Sequence, residues 1–317
     1  MRRHRLYATA IAAVVLAISL CTPAWSQDPQ QSRVVHLELT AGGDYLTGHS
    51  DYSIGGGQPI SALHFPLDVW LWSVGGRLSV MERFNFGIRY RGNITNDPGS
   101  TTDSDYGVFR RAGVSLPTVS AYSLDIYSET EASLDADLLD AYAEWGFYRR
   151  ADWTFLVGFK YTYQKFRYDM SNIVQSYPSL PGIPAFSLQG PIANYEVKYK
   201  IPLITAGITY GGDKSRFGME ARFGYSWYAK AEDNGNWFSR QPPLIFSGDS
   251  DGPAYNLSFN ARYNITPNWF LNAGVEYLKV DADGTQTQIL GSGYTATTNQ
   301  DIDTEQTSIM LQAGFRF

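Results

Sequence analysis

Residues 216–227, RFGMEARFGYSW, place Phe217, Met219, Ala221, Phe223, Tyr225 and Trp227 on one side of an alternating pattern and Gly218, Glu220, Arg222, Gly224 and Ser226 on the other. A period of two is that of an extended strand, whose successive side chains point to opposite faces. Residues 255–264, 271–277 and 84–91 repeat the pattern, with Tyr255, Leu257, Phe259, Ala261 and Tyr263 opposing Asn256, Ser258, Asn260, Arg262 and Asn264 in the first of them. About ten strands are predicted, over 33–48, 60–78, 84–95, 131–148, 153–169, 192–210, 216–231, 254–265, 269–282 and 303–317.

Short breaks such as YRRADW (148–153), GGDKSR (211–216) and ITPNW (265–269) alternate with long connections rich in Gly, Ser, Asp and Pro near 49–59, 96–130, 170–191, 232–253 and 283–302. Short turns at one end and long loops at the other, with an even number of strands, predict an all-β fold: a ten-stranded antiparallel transmembrane barrel with both termini on the periplasmic side. A soluble sandwich or lipocalin-like barrel also alternates, but it turns its apolar face inward; here Phe, Tyr and Trp share one face and Glu, Arg and Lys the other, which suits lipid outside and a polar lumen inside. The C-terminal alternation of Ile309, Leu311, Ala313, Phe315 and Phe317 ends on an aromatic and resembles the signal recognised by the outer-membrane assembly machinery.

Composition refines this picture. Aromatics make up 15% of the chain and Tyr alone numbers 22, a strand-rich composition. Arg2, Arg3 and Arg5 precede an apolar run from Ala8 to Leu20 and the small-x-small stretch Ala24-Trp25-Ser26, which reads as a secretory signal over 1–26. The expected mature domain, 27–317, then lies in the bacterial outer membrane. Cys21 admits a lipoprotein reading, but Leu20 before it is larger than such sites carry. Without the signal the chain has no cysteine, and 22 basic residues face 31 acidic ones for a net charge of about −9. That balance argues against nucleic-acid partners and allows cationic peptides or surface proteins.

Polar-face residues Arg89, Glu144, Lys160, Lys198, Glu220, Arg222, Arg262, Glu276 and Arg316 are expected to fill a narrow lumen, because wide water channels appear only at about sixteen strands. Trp70, Trp72, Trp145, Trp153 and Trp227 fit interfacial girdles. No HExxH, GxSxG or Cys/His cluster is present, so neither metal nor cofactor is expected. Asp249-Ser250-Asp251-Gly252 lacks the closing Glu of a calcium loop and reads as a turn.

In the second long connection stands DSDY, Asp103 to Tyr106. Together with LTAGGDYLTG (39–48), LSVMERFNFGIRYRG (78–92), FGYSWYAKAEDN (223–234) and ARYNITPNWFLNAGVEY (261–277), this segment order resembles the omptin family over nearly the whole mature chain. Omptins are ten-stranded outer-membrane barrels in which a groove between long loops cleaves polypeptides. The resemblance implies a D-x-D pair on one side of the groove, matched by Asp103 and Asp105, and an Asp-x-His pair on the other. At the second place stand Asn234 and Asn236, or Gly235 and Trp237 with a one-residue shift; neither register supplies a histidine. Asn can hold a water but cannot accept a proton at neutral pH. Of the mature histidines, His36 lies at the periplasmic start of the first strand and His64 on the second, which leaves His49, beginning the first loop, as a substitute base.

Three functions are expected from this pattern: a surface groove binding polypeptide or surface ligands with proteolysis lost or altered, an endopeptidase using Asp103, Asp105 and a substitute base, or a small-solute channel. Lipopolysaccharide is the expected lipid partner, structural or activating, with Arg110, Arg111, Lys165 and Arg167 near the outer rim as phosphate ligands.

Overall fold

The computed structural model describes residues 35–55, 59–211, 215–240, 242–291 and 293–317; the expected signal segment lies outside them. Twelve strands form one antiparallel sheet that closes on itself. They are β1 (Val35–Ile54), β2 (Ser61–Pro66), β3 (Val69–Val80), β4 (Phe84–Asn93), β5 (Ser100–Tyr106), β6 (Leu124–Arg150), β7 (Trp153–Ser176), β8 (Phe186–Tyr210), β9 (Phe217–Trp237), β10 (Leu244–Asn264), β11 (Trp269–Leu290) and β12 (Thr295–Arg316). The ring closes where β1 pairs with β12, from Glu38 opposite Arg316 up to Ile54 opposite Gln300.

Two staves are each broken in two. β2 and β3 both pair with β1, and β4 and β5 both pair with β6, so the twelve strands make the ten staves that the alternation predicts. Tight reversals join the lower ends. At Met81 and Glu82 both φ values are positive, 53° and 52°, and the Arg83 N–H donates to the Val80 carbonyl at 3.1 Å. Two consecutive left-handed residues match the twist of a two-residue hairpin.

The staves are far longer than a bilayer needs. About 9–11 tilted residues cross the hydrocarbon, whereas β6 has 27 and β8 has 25. The connections are correspondingly shorter than expected: 96–130 is divided by β5 into 96–99 and 107–123, 232–253 shrinks to 238–243 and 283–302 to 291–294. Asp249 to Gly252 is strand, not turn.

The reason is an inversion of the pattern partway up each stave. In lower β6, Asp140, Tyr142 and Glu144 point inward while Ala141, Ala143 and Trp145 point out; higher up, Leu134, Ala136 and Leu138 are inside and Asp135 and Asp137 outside. In β9 the change falls at Trp227 and Tyr228, beyond which Ala229 and Ala231 are inside and Lys230 and Glu232 outside. Below the change the exterior is a belt of large apolar side chains, Leu311 being 64% exposed, which lipid covers; above it the exterior meets water and the interior is an ordinary apolar core. Lys198, expected inside, lies above the change and points out, where it meets Glu196 at 2.9 Å.

The lower lumen is filled by paired charges. Asp140 accepts from Arg89 and Arg91, each at 2.9 Å; Glu276 binds Arg89 and Lys160; Arg222 donates to Glu144 at 2.6 Å; and Glu38 pairs with Arg262 at 2.8 Å and Arg316 at 2.9 Å. Above them Gln164 and Gln306 exchange amide hydrogen bonds. A tier of Phe65, Phe166, Tyr168, Tyr195 and Tyr199, all 2% exposed or less, then closes the bore.

Candidate functional site

The expected aspartate pair lies on a strand, not in a loop. Asp103 and Asp105 occupy alternate positions of β5, which pairs with β2 on one side and β6 on the other, so both side chains project into the mouth of the barrel. Asp103 is buried, and the Ser61 hydroxyl of β2 donates to its Oδ1 at 2.9 Å. Burial raises the Asp103 carboxyl to about 7, with the nearby Asp105 adding to the rise and Arg240 and Ser61 opposing it. Asp105 is raised as well, again by burial first, against the pull of Arg240, Ser61 and Arg111.

After β5 the chain turns at Gly107, whose φ is +62°; a Cβ there would come 2.4 Å from the Ala121 carbonyl oxygen. The turn starts a short helix, α1 (Val108–Arg111). Buried Asp125 accepts from the Phe109 N–H at 2.7 Å and from the Ser123 hydroxyl at 2.6 Å, which fastens α1 to β6 and leaves Arg111 on the groove wall.

The opposite wall comes from β9, β10 and the turn between them. In β9 the inward positions are Asp233, Gly235 and Trp237, while Asn234 and Asn236 point away from the groove. The shifted register is therefore the one that faces the aspartates, and Asn234 and Asn236 are removed from the site. Phe246, opposite Gly235 across the β9–β10 ladder, fills the room a side chain would need: a Cβ on Gly235 would lie 2.3 Å from the ring. Trp237 stands at the place expected for the imidazole. From the following turn Arg240 stacks over the Trp237 ring, 5.1 Å from its centroid, and reaches 3.7 Å from Asp103 Oδ2. Between the walls is a cleft of about 130 Å³.

His49 does not enter it. Alternation in β1 sends Ser50, Tyr52 and Ile54 inward and His49 and Asp51 outward. On that outer surface His49 stacks on His64 at 5.3 Å between centroids, and Asp51 bonds His64 Nδ1 at 2.6 Å. A base at His49 is excluded by the parity of its strand, and no other described histidine faces the groove.

The four basic residues expected at the rim divide into two places. Lys165 and Arg167 sit on the outer wall around Glu196, at 3.0 and 2.8 Å, beside Lys198. Arg110 and Arg111 belong to α1 at the top of the barrel, Arg111 lining the groove.

The model of the omptin family matches residues 85–317. The chain belongs to the omptin family. Among solved structures, the outer membrane protease OmpT from Escherichia coli superposes with a TM-score of 0.77 at 14% identity, covering 92% of this chain and 99% of that one. The translocator domain of the autotransporter NalP from Neisseria meningitidis gives 0.39 at 9% identity, over 100% and 98% of the two chains. No curated protein matches the chain by sequence. At 14% identity the OmpT likeness establishes the barrel fold; the outer-membrane setting follows from membership of the omptin family, and the chemistry of the groove rests on this chain's own residues.

Sequence reasoning missed Arg240 and Asp125. Neither belongs to a motif: Arg240 meets Asp103 only because β5 and β9 stand on facing sides of the ring, and Asp125 meets Phe109 through the fold of α1 back onto β6.

Proposed function

We propose that this omptin-family barrel is a surface polypeptide-binding protein whose groove has lost or altered the proteolytic machinery. The observation that carries the reading is Arg240 facing Asp103 at 3.7 Å with Trp237 beneath it, on the wall where the family resemblance calls for an imidazole base. A guanidinium is protonated at any physiological pH and cannot take a proton from water. Loss of general-base help removes about 10²–10⁴ in rate. The outer-wall cations Lys165, Arg167 and Lys198 are proposed contacts for lipopolysaccharide phosphates, and Arg111 serves the groove mouth instead. No metal or cofactor enters the proposed function.

A second reading is an endopeptidase of altered mechanism. It is favoured by the Asp103 carboxyl held at about 7 beside Asp105, since two carboxyls sharing a proton can act as acid and base. Incubation of the barrel, refolded with lipopolysaccharide, with a peptide library that includes dibasic sites separates the two. Binding without cleavage is expected; cleavage that disappears in both Asp103→Asn and Asp105→Asn overturns the binding-protein reading in favour of the enzyme.

A further inference from the structure

We propose that the groove anchors its polypeptide through one aromatic or large aliphatic side chain rather than a basic one. The inference rests on the groove being a polypeptide site, and it names what that site selects.

The floor and inner walls of the cleft are Tyr52, Leu63, Phe65, Tyr195, Trp237 and Phe246. Phe65 and Tyr195 stack with centroids 4.5 Å apart and planes at 20°, and Phe246 continues the stack beyond Tyr195 at 5.9 Å and 24°. The space of about 130 Å³ is close to the engineered apolar cavity of about 150 Å³ that accepts benzene. A benzyl or isobutyl group fits such a space and leaves water on entering it, which is the main favourable term for binding.

Among the described residues lining the cleft, the only carboxylates are Asp103 and Asp105. The carboxylate below the floor, Asp233, is 3% exposed and does not line the cleft; it accepts from Gln300 at 2.7 Å, and Gly248 packs so closely that a Cβ there would lie 2.2 Å from its Oδ1. At the mouth Arg240 and Arg111 face Asp103 and Asp105. Two guanidiniums already face those two carboxyls, so that rim offers a further cation no net attraction. The Trp237 face, which could receive a cation, already carries Arg240. Ser61, Gln286 and Gln288, also on the lining, supply donors and acceptors suited to the peptide groups on either side of the anchor.

The test uses the full chain refolded in detergent micelles and a fluorescent peptide, Gly-Ser-Xaa-Ser-Gly, with Phe, Leu, Lys or Arg at Xaa. Fluorescence polarisation is expected to give Phe and Leu at least about tenfold tighter binding than Lys and Arg; basic peptides binding as tightly or more tightly overturn the proposal. N-acetyl-phenylalaninamide, followed by saturation-transfer NMR, separates the two readings. If it binds and no peptide does, the polypeptide reading fails and the apolar anchor stands; if neither binds, both fail. Leu63→Trp, filling the cleft, is expected to weaken Phe binding by at least about tenfold, with folding checked by the mobility difference between heated and unheated samples. If that variant does not fold, Leu63→Ala enlarges the cleft and is expected to move the preference from Phe to Trp; an unchanged preference overturns the proposal.

Discussion

The guanidinium of Arg240 stands 3.7 Å from the carboxylate of Asp103, joining the β9–β10 turn to β5 across the mouth of the barrel. The cation opposes the rise that burial imposes on the carboxyl. Arg240→Met removes that opposition, so Asp103 is expected to titrate above its present value of about 7. Carboxyl-labelled NMR over pH 5–9 measures the change; a downward shift contradicts the ion pair.

The same carboxyl links stability to pH. Its folded pKa, about 7, lies above the ordinary 3.8, so between these values the folded chain binds more protons than the unfolded one and stability falls as pH rises. The isolated limit of this effect is roughly 4 kcal/mol, and coupling to Asp105 and Arg240 reduces it. Asp103→Asn is expected to flatten the decline in unfolding midpoint between pH 4 and 7. A decline as steep as in the parent chain assigns it to other groups.

Gly235 and Phe246 form a second pair across the ladder. Placing a carboxylate there by Gly235→Asp drives the new side chain into the ring and is expected to cost about 1–3 kcal/mol. Phe246→Ala in the same chain recovers part of that loss, because the two sites share one space. A double-mutant cycle on denaturant midpoints measures the coupling, and strict additivity refutes the steric account.

In the lumen Glu276 holds Arg89 and Lys160. Glu276→Ala leaves buried cations short of a partner and is expected to destabilise the barrel by about 3–5 kcal/mol. Planar-bilayer recordings of the parent chain are expected to show conductance far below that of a general porin, since paired charges and the aromatic tier occupy the bore; a porin-sized step restores the channel reading.

On the outer wall Glu196 is the shared ion-pair partner of Lys165, Arg167 and Lys198. Glu196→Gln is expected to tighten binding to lipopolysaccharide-containing vesicles and to steepen its loss with salt. Lys165→Ala with Arg167→Ala weakens it, while Arg110→Ala leaves it unchanged. Equal losses from all three place the lipid contact at the rim instead.

The barrel was legible in the sequence because lipid enforces a strict alternation over the lower staves, as in Phe217 to Trp227 and Tyr255 to Tyr263. The upper staves were not, because backbone pairing continues while the solvent on each side changes; Asp135 outside and Leu134 inside obey the same period with the opposite sense. Lys198 was misplaced for that reason, and the loops were drawn too long. Asp103 and Asp105 could be found from their place in the family pattern. The outward turn of His49 was readable from its alternation with Ser50, Tyr52 and Ile54. Arg240 was not readable, since a residue in a six-residue turn acquires meaning only from the strand facing it across the ring.

The inversion of the staves has a consequence for biogenesis. The half that ends in water outside the cell has to be carried across the membrane with the charges on its exterior. Glu196 meets Lys165 and Arg167 from the neighbouring stave and Lys198 on its own, Glu232 meets Lys200 from the neighbouring stave and Lys230 on its own, and Lys279 meets Asp303 and Glu305 from the neighbouring stave. Neighbouring strands that zip together before translocation keep the cross-strand pairs among these charges made, whereas a single strand leaves Lys165, Arg167, Lys200 and Lys279 without those partners. Charge pairing on this exterior thus favours insertion by hairpins over insertion strand by strand.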